Sequence, residues 1–216
     1  MTTPPKARTV RVAPDRLEGW LDGFAERHGV PSIELGTDQL LLRGADGAAA
    51  TFPLPWGPLV GTDPLAELVA AARLPRRVGA LVVRRRAHAV GLFDGERLLA
   101  GRHGSHYVQG RTKAGGWSQQ RYARRRANQA DRSFEAAASD AAEVLLPHVS
   151  ELEALACGGD RAGIAAVLAD PRLEPLRDPA LRRGLPVFAV PDPNAGVLAG
   201  FPALFRQVPI ELNELA

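Results

Sequence analysis

Cysteine is almost absent. Cys157 is the single one in 216 residues, so neither an intrachain disulfide nor a cysteine-based zinc site can form. Lysine is nearly absent as well, at Lys6 and Lys113 only, which leaves arginine to carry almost all of the positive charge. No apolar run approaches the roughly 18 to 20 residues that a membrane-crossing helix needs, and the opening MTTPPKARTVRV has no secretory-type apolar stretch. A soluble, cytoplasmic protein without a membrane partner is therefore expected. Also missing are a Walker-type spacing ending in Lys-Ser/Thr and a Gly-x-Ser-x-Gly elbow, which argues against ATP or GTP chemistry and the usual serine hydrolase. Asp15, Asp22 and Asp63 are scattered rather than paired, against a two-metal nuclease. His103 and His106 lie close together with no acidic cluster nearby, a weak ligand set, so no metal and no cofactor are expected.

What is present is an uneven distribution of charge. The formal net charge is only +3, yet basic residues crowd into Arg73 to Arg86 and Arg111 to Arg132. Clustered guanidinium groups supply planar forks that match phosphate oxygens, wherever they are exposed. A hydrophobic content of 45% is enough for one substantial core or two small ones.

The periodicities predict a small N-terminal α/β module over residues 1–75 and a larger catalytic-type domain over 76–216. In the first, Leu17, Trp20, Leu21 and Phe24 recur at helical spacing after Asp15, which reads as an N-cap or first-turn acid, and Gly29 closes the helix. Short strands are expected at Ser32 to Leu35, Gln39 to Arg43 and Ala48 to Pro53, and a second helix at Asp63 to Arg73. In the second, strands are expected at Gly79 to Arg85, His88 to Phe93 and Arg97 to Gly101, the last two joined by the turn Asp94-Gly95, with a further extended stretch from Ser105 to Gly110.

One long helix is then expected from Ser118 to Leu146, about 40 Å if fully formed. Its stripe of Ala123, Ala127, Ala130, Phe134, Ala137, Ala141 and Leu145 is mostly alanine, which lets a helix lie close to a sheet, and Pro147 ends it. A strand at Leu152 to Cys157, with Cys157 a small buried residue at its end, precedes a helix from Arg161 to Leu168 capped by Asp160. Pro186 to Val190 reads as another strand, and the tail from Ala195 as a short helix with an extended or irregular end. The fold class expected is α/β, a mixed sheet with helices packed on it.

The segment that carries chemistry is KAGGWSQQRYARRRANQ, from Lys113 to Gln129. Gly115 and Gly116 permit a close backbone approach to another molecule. On the helix that follows, Arg121, Arg125, Asn128 and Arg132 share a face, with Arg124 nearby. An ordinary solvated face after a Gly-rich turn would read the same way. Four arginines between Arg121 and Arg126 repel one another, however, and RNA is the natural counter-surface.

The run GGWSQQRYARRR resembles the loop and helix in the middle domain of eukaryotic and archaeal class-one release factors, and most of all the actinobacterial-type, Vms-like branch of peptidyl-tRNA hydrolases. The strands from VGALVVRRRAHAVGLFDG through ERLLAGRHG and the segment ELEALACGGDRAGIAAVL are similar to those flanking that loop. The resemblance covers about Val78 to Val190, and implies that family's ribonuclease H-like middle-domain fold. It also implies hydrolysis of the ester joining a nascent peptide to tRNA on the large ribosomal subunit, independent of codon, by a monomer that meets RNA rather than DNA.

Where the superfamily has a GGQ tripeptide followed by serine, this sequence has Gly115, Gly116, Trp117 and Ser118, so Trp117 stands at the glutamine's place. In the Vms-like branch the glutamine comes slightly later, which carries the catalytic role to Gln119 with Gln120 in reserve. Lys113, Arg121, Arg124, Arg125 and Arg126 would then hold phosphates, and Trp117 and Tyr122 stack on bases. Trp117 reads equally well as a loop anchor packed on the domain. Two other readings stay open: a ribosome- or tRNA-binding protein that has lost catalysis, and an RNA nuclease.

Overall fold

The structure, a computed structural model, describes residues 8–105 and 133–216. They fall into two compact units. Met1–Leu74 with Arg206–Ala216 form the first, and Pro75–Phe205 the second.

The first unit is an antiparallel sheet with two helices. Its strands are β1 (Arg8–Val12), β2 (Ser32–Leu35), β3 (Gln39–Arg43), β4 (Ala49–Pro53) and β10 (Val208–Leu212), in the order β1-β10-β4-β3-β2. Alternation sets the buried face: Leu40 and Leu42 of β3 lie opposite Phe52 and Ala50 of β4, and all four are fully buried. Helix α1 (Leu17–His28) sends Leu17, Leu21 and Phe24 into this core, and Trp20 stacks on Phe24 with ring centroids 5.6 Å apart. Gly29 ends it at φ 77°, as its position in the sequence indicates. Asp15 does not cap this helix. It sits in a 3₁₀ turn, Pro14–Arg16, that leads into α1, and Arg16 takes the N-cap position without a side-chain bond. Helix α2 (Pro64–Arg73) forms where a helix was expected, and Asp63 caps it, its Oδ1 accepting the N–H groups of Leu65 and Ala66 at 3.1 Å each.

The expected division at residue 75 groups the C-terminal residues with the second domain, whereas Arg206–Ala216 belong to the first unit. In the structure β10 lies in the first sheet, where Leu212 pairs with Arg8 and with Ala50.

The second unit has a mixed sheet in the order β7-β6-β5-β8-β9, built from β5 (Arg77–Arg84), β6 (Ala87–Asp94), β7 (Arg97–Ser105), β8 (Ala154–Gly159) and β9 (Val187–Phe188). β5, β6 and β7 form an antiparallel meander, while β8 joins β5 in parallel through a crossover containing helix α3, described over residues 133–145. The sheet is covered on both faces, which is why β5 and β6 are continuous apolar runs. On one face Leu81, Val83, Val90, Leu92 and Leu155 pack with Ala137, Ala141 and Leu145 of α3 and with Ile164 and Val167 of α4 (Arg161–Leu168). On the other, Ala80, Val82, Phe93 and Ala156 pack with residues of α5 (Ala195–Ala199) and α6 (Pro202–Phe205) and with Phe201 between them.

The alanine stripe therefore does what its residue type allows at Ala137 and Ala141, both fully buried. Ala123, Ala127 and Ala130 lie outside the described residues, as do residues 118–132 of the expected long helix and 106–110 of the extended stretch. β7 continues past Gly101 to Ser105, and β9 is shorter than Pro186 to Val190. Cys157 lies within β8, and its burial pushes the thiol up to about 11.

Candidate functional site

Every residue singled out for chemistry lies outside the described residues: Gly115, Gly116, Ser118, Gln119 and Gln120, and with them Lys113, Trp117, Arg121, Tyr122, Arg124, Arg125 and Arg126. His106 does too, whereas His103 is exposed on β7. What the structure describes is the scaffold at the two ends of that segment.

Topology fixes where those ends are. Ser105, the last residue of β7, lies opposite Ala87, at the end of the sheet occupied by the β5–β6 turn. The described part of α3 begins with Ser133, almost fully buried, and Phe134. A Cβ on Gly163 of α4 would meet Val83 Cγ1 at 3.0 Å and Phe134 Cε1 at 3.2 Å, so the close of β5, Phe134 of α3 and the first turn of α4 meet at one junction. Toward the other end of α3, a Cβ on Gly79 would stand 3.3 Å from Leu145. Ser105 and Ser133, the described residues on either side of 106–132, thus both lie at this end of the sheet.

A polar ladder ties these elements together. His88, 2% exposed on β6, donates Nε2–H to Asp140 Oδ2 of α3 at 2.7 Å. Arg102 of β7 lies 4.0 Å from Asp140 Oδ1 and pairs with Glu143 one turn along the helix. The imidazole lies over Gly104 of β7, where any Cβ would stand 2.6 Å from His88 Cε1. Strand β7 and helix α3, the two elements that bracket residues 106–132, are therefore held in one register by a buried imidazole and an aspartate. Sequence reasoning missed this pair. The signal was a lone histidine inside the apolar run AHAVGLF, which needs a partner once buried.

Removing the partner should be costly. Asp140→Ala leaves a buried N–H without its acceptor and should lower stability by about 1–3 kcal/mol in urea unfolding, and Asp140→Asn, which keeps an acceptor oxygen, should recover most of the loss. Equal stability of Asp140→Ala and the native chain would show that the pair does not brace α3.

Among the described residues, no group of three or more His, Cys, Asp or Glu side chains is placed to hold a metal ion. No helix among them is long and apolar enough to cross a membrane.

The edge strand β7 and the covering helix α3 of this mixed sheet flank the Gly-Gly segment in the sequence. The model of the actinobacteria/chloroflexi VLRF1 release factors matches residues 76–211, and the chain belongs to that family. The matched region includes the whole second unit from Arg76 and runs into β10 of the first sheet. Among solved structures, the chain is similar to the archaeal translation termination factor aRF1, with 15% identity and a TM-score of 0.39 over 91% of this chain and 65% of that one. A second archaeal protein aligns with 16% identity and a TM-score of 0.39, over 91% of this chain and 64% of its own length. The chain spans a little under two thirds of the length of each.

Proposed function

We propose that this release-factor-family protein is a ribosome-associated peptidyl-tRNA hydrolase of the cytoplasm, which frees nascent chains from tRNA on the large subunit without reading a codon. The observation that carries the reading is the run Gly115 to Arg126, a double-glycine tip followed by two glutamines and a dense arginine cluster, inside the region that matches the family.

The chemistry requires no ionising group in the loop. The Gln119 amide orients a water toward the ester carbonyl and offers a neutral donor to the developing oxyanion, and Gln120 is the reserve for that role. Gly115 and Gly116 let the backbone come close to the terminal ribose, and Ser118 lies between tip and amide in the chain. Lys113, Arg121, Arg124, Arg125 and Arg126 hold phosphates, and Trp117 and Tyr122 stack on exposed bases. The products are a free peptide and a tRNA whose terminal ribose hydroxyl is restored.

Trp117 favours a second reading, because it stands where the superfamily's glutamine would be: a protein that binds ribosome or tRNA and uses the loop only as a wedge. A nuclease is the third. Single-turnover incubation of the full chain with isolated large subunits carrying peptidyl-tRNA, resolved on one gel for peptide ester and RNA, separates them. Hydrolysis predicts free peptide with intact RNA. Intact ester with bound protein establishes the wedge, and cut RNA the nuclease.

A further inference from the structure

The turn between β5 and β6 is built from residues that turn geometry does not favour. Arg84 and Ala87 form the last pair of the ladder, so Arg85 and Arg86 alone close the hairpin. Two-residue hairpins favour positive φ at one or both central positions and hence Asn-Gly, Asp-Gly or Gly-containing pairs. The hairpin at the opposite end of the same sheet obeys this rule, turning through Gly95 at φ 61° between the paired Asp94 and Arg97. Neither Arg85 nor Arg86 has a positive φ. Two adjacent like charges are thus placed at a tight exposed turn where a neutral Asn-Gly would serve the fold better.

Their neighbours on the sheet have partners, whereas they have none among the described residues. Arg84 is committed to Asp192, with Nε to Oδ1 at 3.3 Å, and to the Val190 carbonyl at 2.8 Å. Arg97 pairs with Asp94, Arg102 with Glu143, and Arg77 with Glu151. Arg85 and Arg86 are exposed, and no ion pair or hydrogen bond of their side chains is found among the described residues. Asp160, whose N–H donates to the Val83 carbonyl near the end of β5, accepts the Ala162 N–H in capping α4. The tip also has a fixed address. It stands at the same end of the sheet as Ser105 and Ser133.

We propose that Arg85 and Arg86 are a second RNA contact, a pair of guanidinium forks that grip backbone phosphates at the end of the sheet where Ser105 and Ser133 lie. The inference rests on the reading of the chain as a ribosome-acting factor and extends it. The tip is attached to the rigid sheet, so it sets the angle at which the second unit meets RNA. Phosphate contacts of this kind position a protein and carry no sequence information. Phosphates of ribosomal RNA and of tRNA offer the same chemistry.

The test measures binding of the full chain to isolated large subunits, vacant or carrying peptidyl-tRNA, across a range of potassium chloride at fixed magnesium. The variant is R85N/R86G, which installs a favoured turn, and the control is R97A, which removes an exposed charge at the opposite end of the sheet. Each phosphate contact contributes about 0.7 to 0.9 to the slope of log affinity against log salt. R85N/R86G should flatten the slope by about 1 to 2 and weaken binding roughly tenfold near physiological salt. Its melting temperature should equal or exceed that of the native chain, so misfolding cannot produce the result.

Weakening on vacant subunits assigns the phosphates to ribosomal RNA, and weakening only on charged subunits assigns them to tRNA. A native slope in R85N/R86G, an equal change in R97A, or a native chain that binds neither sample overturns the contact. Peptide release scored in the same tubes judges the hydrolase separately, since an intact ester with an unchanged R85N/R86G effect defeats only the enzyme reading.

Discussion

Gln119→Ala should slow single-turnover peptide release by about 10²- to 10³-fold, the usual loss when one preorganised donor to a developing oxyanion is removed, while affinity for the large subunit stays within about twofold. The cause is charge. Ester hydrolysis builds negative charge on the carbonyl oxygen, and a neutral amide fixed in place stabilises that charge only once it forms, so the effect falls on the chemical step and not on binding. Replacing Arg125 should do the reverse, raising the concentration needed for half-maximal release, because a phosphate contact holds ground state and transition state alike. Should Gln120→Ala show the large loss and Gln119→Ala none, the amide that meets the ester is Gln120. Should neither slow release, Trp117 becomes the residue to vary.

The largest effect on stability is expected at Gly159. This residue closes β8 opposite Val83 at φ 96°, and a Cβ there would lie 2.2 Å from the Val83 carbonyl oxygen. That oxygen accepts the Asp160 N–H at 2.7 Å, at the point where strand turns into α4. Gly159→Ala therefore adds backbone strain of about 1–3 kcal/mol to a clash with main chain that no side-chain rotation relieves. A total loss of about 3–5 kcal/mol, or roughly 10 °C in melting temperature, is expected. Gly19→Ala is the matched control, because nothing lies within 4 Å of its Cβ position inside α1. The same chemical change there should stabilise by about 0.5–1 kcal/mol through helix propensity alone. Equal behaviour of the two variants would contradict the geometry at the β8–α4 junction.

These expectations show what could be read from residues and what needed coordinates. Local pattern was enough where one element carries its own signal: Leu17, Leu21 and Phe24 at helical spacing, Pro64 in the first turn of α2, Asp160 before α4, and Asp94-Gly95 between two apolar runs. It was insufficient where the deciding partner is distant in sequence. Ile210 and Leu212 alternate like a strand, but nothing local says that Leu212 will lie beside Arg8 and Ala50. His88 could be seen as an odd residue in an apolar strand, yet Asp140 as its acceptor follows only from how α3 crosses the sheet.

The same limit explains the arginines. By composition Arg76, Arg77, Arg84, Arg85 and Arg86 form one basic stretch, while in the fold Arg76, Arg77 and Arg84 are neutralised by Glu153, Glu151 and Asp192. Which guanidinium groups remain available to a partner is a property of packing. For the candidate site itself, the Gly115 to Arg126 motif carries the reading on residue type and family membership, and the structure adds the scaffold that brackets it.

The most direct test of the central claim is single-turnover release by the Gln119→Ala/Gln120→Ala chain on large subunits loaded with peptidyl-tRNA. With neither amide available, the protein should still bind, the RNA should stay whole and the peptide should remain esterified at close to the background rate. Peptide set free at the native rate would contradict that claim.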